Sequence, residues 1–568
     1  MLPCVLAFLA SAGVMSIEMV AGRLMSIYAG AGLYTWTSVI GVVLGGITAG
    51  NFIGGRLADR FPAREALGAL FFGGMGVCLL LPLANYWVGR LIGWNQYSEL
   101  SFPIRIFLHV SGAFLLPATV LGMMGPVVVK LALEGGGGGT GRTIGRVYAS
   151  GAFGSIVGTF LSGYYLIGLI GTSGVALSVA ALLGLQALLL LPGFSLRLLA
   201  VSWPLLLGLL AASGVVGGRG RGKWMWTADG PRIYETGSQS PRQWIFAKES
   251  QYSFVRVAEE RGPMTTRLLI MDNLLHAIYA PKQPQKLLYD YERLYHMLTT
   301  RHVDDPLRLN FFFIGGGGYV FPRHVRNIWP GCEVQVAEID PVVTEANFEA
   351  FGLSPDEVLV RESGVAMAQS ASASSATPET QAPVKRIEIF HLDARNHVDD
   401  LVRQKSEGKG FKPFDFIYGD AFNDYCVPQH LVTEEFMVKL RDLLVPGRGI
   451  YLMNVIDIYE SGLFLGAIYN TLAKVFPRVY IFTDRPDGPS ADPAARETWI
   501  LAASLRELDL ADLGQRQGEK DFQGTVLTPE HIQTLIRRSG RLVLTDDYAP
   551  VENLLAPVVR RRSLQEVK

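Results

Sequence analysis

Four consecutive glycines, Gly315, Gly316, Gly317 and Gly318, end an apolar run in the stretch FFFIGGGGYVFPR. Glycines at the end of a strand permit positive φ and let a ligand approach the main chain. Three carboxylates hold comparable places: Glu338 in VAEID, Asp393 in HLDA and Asp420 in YGDAF. Each closes an apolar stretch that reads as a strand. In an open parallel sheet the strand ends share one edge, and ligands sit outside it where the strand order reverses. Glu338 comes roughly 20 residues after the glycines, the interval at which an acid accepts hydrogen bonds from ribose hydroxyls. Taken singly, each acid equally suits a turn or a helix cap. The glycines do not form GxGxxG, and no P-loop lysine with Ser or Thr follows. A ligand offering adenine, ribose and a sulfonium therefore suits the pattern better than a pyrophosphate.

The elements that must position these residues alternate. Predicted strands cover 307–314, 333–340, 385–393, 414–420, 449–457, 478–484 and 498–504, with helical spacing between them. Such alternation predicts a mostly parallel, doubly wound sheet. A helix is expected over 284–302, preceded by short strands of a small β subdomain within 224–283. The α/β region thus runs over 284–568. Its stretch 363–384, rich in Ala, Ser, Thr and Pro, reads as a flexible insert.

Residues 224–568 resemble the spermidine synthases, the polyamine aminopropyltransferases. The phrases FIGGGGYVFPR, VAEIDP, LDAR, FDFIYGDAFNDYCVPQHLVTEEF and LTDDYAPVENLL carry the resemblance. It implies a Rossmann-like, methyltransferase-type domain with a small β domain before it. It implies that Gly315–Gly318, Glu338, Asp340, Asp393 and Ala394 hold the nucleoside, with Asp393 on the adenine amine. It implies Asp420 as the catalytic residue. The co-substrate would be decarboxylated S-adenosylmethionine, or S-adenosylmethionine in a methyltransferase-like relative, with no metal. A carboxylate suits this chemistry because the attacking amine arrives mostly protonated and must lose a proton. Asn423, Asp424, Tyr295 and His276 are the candidates for contact with a small amine substrate. Departures from the family pattern thin the amine cage, among them Asn273 and His276 in MDNLLHA, where glycine and glutamine are common. Gly318 replaces the aspartate of Gly-Gly-Asp-Gly, Asn423 replaces a second aspartate, and the helix YDYERLYHML carries His296 near the usual acid, with Asp290 and Glu292 a turn or two earlier. A non-catalytic membrane subunit or scaffold with a degenerate site is the competing reading.

The first 217 residues are of another kind. About seven apolar runs, near 3–24, 33–55, 65–87, 106–133, 146–169, 172–192 and 196–217, approach the roughly 20 residues that cross a bilayer. Small residues within them, as in SVIGVVLGGITAGNFIGG, favour close helix packing. The whole chain resembles a fusion of a major-facilitator-like membrane half to the transferase domain, which implies a multi-pass protein of a bacterial inner membrane. Arg56, Arg60 and Arg64 place their loop in the cytoplasm by the positive-inside rule. Seven crossings from a cytoplasmic N-terminus leave residue 218 outside, whereas the basic GGRGRGK (217–223) prefers the inside, and a cytoplasmic α/β domain is the expectation. Glu18 in the first run is a functional candidate as an intramembrane acid, unless Arg23 neutralises it.

Composition adds exclusions. The chain has 51 basic and 51 acidic residues, so net charge gives no reason to expect nucleic acid as a partner. Cys4, Cys78, Cys332 and Cys426 form no CxxC pair, so neither zinc nor a disulfide framework is indicated. The expected partners are the lipid bilayer and a small amine, with a homodimer through the soluble domain or a larger membrane complex.

Overall fold

In a computed structural model of the chain the residues described are 1–29, 32–93, 100, 102–135, 139–190, 222–227, 230–235, 242–272, 274–361, 386–422, 426–485, 488–490, 492–510 and 524–565. They form two units, Met1–Ser238 with Glu249–Phe254 and Ser563–Lys568, and Gln239–Lys248 with Val255–Arg562.

The first unit is a helix bundle. Five of its helices are long and apolar enough to cross a membrane: Leu2–Ser26, Leu33–Arg60, Ala63–Ile92, Pro103–Glu134 and Thr140–Leu190. The expected crossings near 3–24, 33–55, 65–87 and 106–133 fall in the first four. Those near 146–169 and 172–192 share the fifth, which is broken at Gly171 (φ 74°, ψ 167°). The break at Gly171 falls between those two expected runs, so this 51-residue span holds two helices rather than one. The run near 196–217 lies outside the described residues. Pairs of glycines bring backbones together. A Cβ on Gly50 or Gly54 would strike the main chain at Thr119 or Met123, and one on Gly154 or Gly158 the main chain at Phe8 or Ala12. Glu18 is buried, and Arg23 does not neutralise it. The Arg23 guanidinium instead donates to the Tyr252 carbonyl at 2.7 Å and lies 3.9 Å from Glu249.

Strands β1 (Gly222–Thr227) and β2 (Gly230–Glu235) form an antiparallel hairpin. A four-stranded sheet follows in the order β3 (Arg242–Glu249), β4 (Phe254–Glu260), β5 (Thr266–Met271) and β6 (Leu274–Tyr279).

The second unit is built on a nine-stranded sheet. Its strands are β7 (Asn310–Ile314), β8 (Glu333–Ala337), β9 (Val358–Arg361), β10 (Ile387–Phe390), β11 (Phe416–Gly419), β12 (Ile450–Ile458), β13 (Arg478–Thr483), β14 (Arg496–Ser504) and β15 (Thr525–Val526). Their order is β15-β13-β14-β12-β11-β7-β8-β10-β9. Neighbours from β9 to β12 are parallel, and β14 runs antiparallel to β12 and β13. The sheet is thus the Rossmann-like α/β architecture expected. β9 and β15 were not legible as strands, since four and two residues carry too little alternation to register. One apolar core packs helices Ala394–Ser406, Glu434–Leu443 and Leu463–Val475 on one face, through Val398, Phe436 and Ile468. The other packs Asp290–His302 and Val320–Ile328 on the opposite face, through Leu294, Leu298 and Val325.

The order reverses between β7 and β11, as the chain steps outward to β8 and β10 and returns. Ile314 pairs with Gly419 there, so Gly315 and Asp420 leave the sheet side by side. The Asp420 amide donates to the Ile314 carbonyl at 2.9 Å.

Replacing Gly50 or Gly158 by valine should force two helices apart and destabilise the bundle by about 2 kcal/mol, the scale of an overpacked core. The check is a lowered thermal midpoint of the protein in detergent, with Gly41→Ala, whose Cβ meets nothing, unchanged.

Candidate functional site

Gly315 takes φ 97° and Gly317 φ 48°, and a Cβ on Gly315 would overlap the Asp420 carbonyl. Only glycine satisfies that combination of positive φ and close approach. Next along the loop, Tyr319 holds φ 48° without being glycine, an uncommon conformation for a bulky residue. Its fully buried ring lies under Gly316, and its hydroxyl is 2.7 Å from Thr344 Oγ1. A Cβ on Gly318 would meet Ala277 at 2.5 Å and the Phe351 ring at 2.7 Å. The place of the family's aspartate is therefore filled by packing, and this loop has no room for an acid there.

A cavity of about 250 Å³ opens at the switch point. Gly315–Gly318, Asp420, Glu292, Tyr295, His276, Asn454 and Arg496 are among its walls. Asp420 is held from two sides: the Tyr291 hydroxyl donates to Oδ2 at 3.0 Å and the Asn454 amide to Oδ1 at 2.8 Å. Burial pushes the Asp420 carboxyl above its ordinary value, and these two donors pull it partly back. Glu292 is 2% exposed. Burial, and then the negative charge of Asp420, drive its carboxyl well above the ordinary range. Its Oε2 has no hydrogen-bond partner, nor do Asn454 Oδ1 and His276 Nε2. Burial holds His276 down at about 4, so its imidazole is neutral near pH 7. Such unpaired buried atoms cost free energy unless a ligand completes them. The arrangement is an anionic, phenol-lined trough suited to an ammonium group.

Sequence reasoning chose Asp420, Tyr295 and His276, and the fold brings all three to this cavity. It passed over Glu292 as an amine ligand, together with Tyr291 and Asn454. The signal was present for Glu292, an acid within an otherwise apolar helical face, but the helix register decides which acid points inward. Asn423 and Asp424 lie outside the described residues, as does the insert 363–384.

Glu338 and Asp393 do not line the cavity. Glu338 Oε2 accepts from the amides of Gly316 at 2.8 Å and Gly317 at 3.4 Å, and Oε1 from Asp340 at 2.9 Å. Burial raises its carboxyl to about 7, against the pull of these amides. Asp340 caps the helix Pro341–Ala346 through the Val342 amide. Asp393 caps Ala394–Ser406, accepting from Arg395 at 2.8 Å and Asn396 at 3.4 Å, and its Oδ2 is 2.9 Å from His430 Nε2. Burial pushes the Asp393 carboxyl up, but the His430 contact and the helix amides hold it below the ordinary value. Ala394 is buried as the first residue of that helix. A carboxylate offers about four acceptor positions, so Glu338 and Asp393 can each receive one further hydroxyl or amine hydrogen. A Cβ on Gly317 would meet nothing. Among the described residues no group of three or more His, Cys, Asp or Glu could hold a metal ion.

No family model matches the chain. Part of it is 25% identical over 166 residues to the polyamine aminopropyltransferase of Vibrio vulnificus, covering 29% of this chain and 43% of that protein. Another match, 24% identical over 183 residues, is to the eEF1A lysine and N-terminal methyltransferase of Danio rerio, covering 31% of this chain and 21% of that one. The chain thus spans less than half the length of either curated relative. Among solved structures, a probable spermidine synthase from Corynebacterium glutamicum superposes with a TM-score of 0.40 at 19% identity, over 54% of this chain and 97% of that one.

Raised carboxyls make a stability prediction. Glu292 and Asp420 titrate higher folded than unfolded, so their contribution is fully present below the ordinary carboxyl range and is lost as pH rises through the raised values. Glu292→Gln should therefore be more stable than the parent chain at neutral pH, by roughly 1–3 kcal/mol, the penalty of an unpaired buried polar group. Denaturant melts at acidic and neutral pH check this, since the difference should shrink on acidification.

Proposed function

We propose that the chain is a membrane-anchored transferase that moves an aminopropyl group from decarboxylated S-adenosylmethionine to an amine. The observation that carries the reading is the pair Glu292 and Asp420, enclosed with Tyr291, Tyr295 and Asn454 beside the glycine loop at the β7/β11 switch point. An ammonium group is the ligand that relieves two buried acids, because it supplies both charge and donors. The names of both curated relatives, an aminopropyltransferase and a methyltransferase, agree with group transfer.

In the reaction the amine nitrogen bonds to the carbon beside the sulfonium. The carbon–sulfur bond breaks with its electron pair moving to sulfur, and methylthioadenosine leaves. Asp420 receives the proton that the amine must lose, with its position fixed by Tyr291 and Asn454. The sulfonium is already a good leaving group, so alignment of nitrogen, carbon and sulfur supplies most of the remaining acceleration. Gly315–Gly318, Glu338 and Asp393 would hold the nucleoside. The apolar helices would anchor the chain in a bacterial inner membrane.

Incubation of the purified chain with decarboxylated S-adenosylmethionine and a panel of amines should release methylthioadenosine. Release of S-adenosylhomocysteine from S-adenosylmethionine instead would establish methyl transfer. Asp420→Asn should lower turnover by about 10²–10⁴, the usual weight of a positioned base, while thermal stabilisation by methylthioadenosine persists. Normal turnover in that variant would remove Asp420 from the role.

A further inference from the structure

Glu338 and Asp393 stand one strand apart on the edge that carries the glycine loop. The Gly315 amide donates to the Ala337 carbonyl at 2.9 Å, and the Glu338 amide to the Phe390 carbonyl at 3.0 Å. Each bond carries the edge one strand outward, from β7 to β8 to β10, and Asp393 follows in the loop after β10. The Asp393 side chain is 24% exposed, so a ligand can reach it there. Its two oxygens are not equivalent. Oδ1 accepts the amides of Arg395 and Asn396, whereas Oδ2 faces His430 Nε2 at 2.9 Å. Burial works against ionisation of Asp393, but the His430 contact and the helix amides outweigh it. An ionised carboxylate offers no hydrogen, so Nε2 carries the one between them. Oδ2 keeps one further acceptor position, which matches an exocyclic amine and repels a carbonyl.

The contact is braced by the segment LTDDYAPVENLL. Arg395 holds both partners of the contact: its amide donates to Asp393 Oδ1 at 2.8 Å, and its guanidinium Nη1 to the His430 carbonyl at 2.8 Å. Asp546 grips that guanidinium with both oxygens, Oδ1 at 2.7 Å from Nη1 and Oδ2 on Nη2. A paired fork of this kind fixes the plane of the guanidinium. Asp546 is itself tied down. Its amide donates to Glu435 Oε2 at 3.0 Å, and the Glu434 amide donates to the Leu544 carbonyl at 2.8 Å. Nη1 of Arg395 also reaches Thr433 Oγ1 at 3.3 Å, the cap of helix Glu434–Leu443. Three stretches far apart in sequence, LDAR, QHLVTEE and LTDD, thus meet at one guanidinium.

Resting on the reading of this edge as the nucleoside site, we infer that Arg395 and Asp546 are positioning residues that hold His430 against Asp393 and so set the site's choice of base. With Oδ2 pinned by His430, its remaining lone pair accepts the exocyclic amine of adenine. Hypoxanthine, with a carbonyl in that place, is refused.

Calorimetry on the full chain in detergent, with methylthioadenosine and methylthioinosine as probes, reads this choice. The parent chain should bind methylthioadenosine more tightly by about tenfold or more, the worth of one hydrogen bond to a charged group. His430→Ala should remove most of that ratio by weakening methylthioadenosine alone. His430→Gln, whose amide can still donate, should restore most of it. Asp546→Ala should reproduce His430→Ala, and the double variant should be no worse than either, since both act on one contact. A clamp that merely staples the segments together would instead weaken both nucleosides alike and lower the thermal midpoint. Equal weakening, an unchanged ratio in either single alanine variant, or no binding of either nucleoside would overturn the inference. The two readings fail separately. Methylthioadenosine released from decarboxylated S-adenosylmethionine, with the ratio unmoved, leaves the transfer reading standing without this one. A collapsed ratio with no transfer product from any amine does the reverse.

Discussion

The site depends on one constraint: two carboxylates must line one cavity of about 250 Å³ whose walls strip away much of their hydration. Asp420 is fixed there by the sheet itself, because its amide continues the β7–β11 ladder and its neighbour across the ladder is a glycine. Glu292 is delivered by a helix packed on the opposite apolar face. Neither can withdraw without breaking the core that holds it. The free energy stored in their proximity is therefore available to whatever ligand relieves it, and an ammonium ion relieves it most completely.

The glycine loop serves that constraint from below. Its main chain must pass against Asp420, which excludes any side chain at Gly315. Glu338 ties two of the loop amides, and Tyr319 fills the space beneath. Glu338 and Asp393 thus act first as fasteners of the loop and of a helix start. Their remaining acceptor positions are what a nucleoside would use. The packing around Gly318, against Ala277 and Phe351, closes the place of a further acid.

Much of this was legible in the sequence because backbone demands leave strong marks. Four glycines after an apolar run, and acids closing successive strands, identify the edge of a parallel sheet without any coordinates. Asp420 was found in that way, whereas Tyr295 and His276 came from the resemblance to the spermidine synthases. Glu292 was not chosen as a ligand, because a helical acid faces inward or outward according to register, and Asp290 and Glu292 are two residues apart. The committed hydrogen bonds of Glu338 and Asp393 were equally hidden, since a strand-end acid reads the same whether its partner is a ribose, a main-chain amide or His430. In the helical unit hydropathy located the apolar segments, including the break near Gly171 that divides the longest span.

The central claim is that Glu292 and Asp420 share one enclosed volume and resist joint ionisation until a cation enters. Infrared difference spectroscopy of the carboxyl stretch tests it most directly. The account predicts a protonated carboxyl band persisting at neutral pH in the parent chain, weaker in the Glu292→Gln, Asp420→Asn double variant, where Glu338 at about 7 still contributes, and diminished in the parent on addition of an amine that binds. Full ionisation of both groups in the ordinary carboxyl range, with no response to any amine, would contradict it.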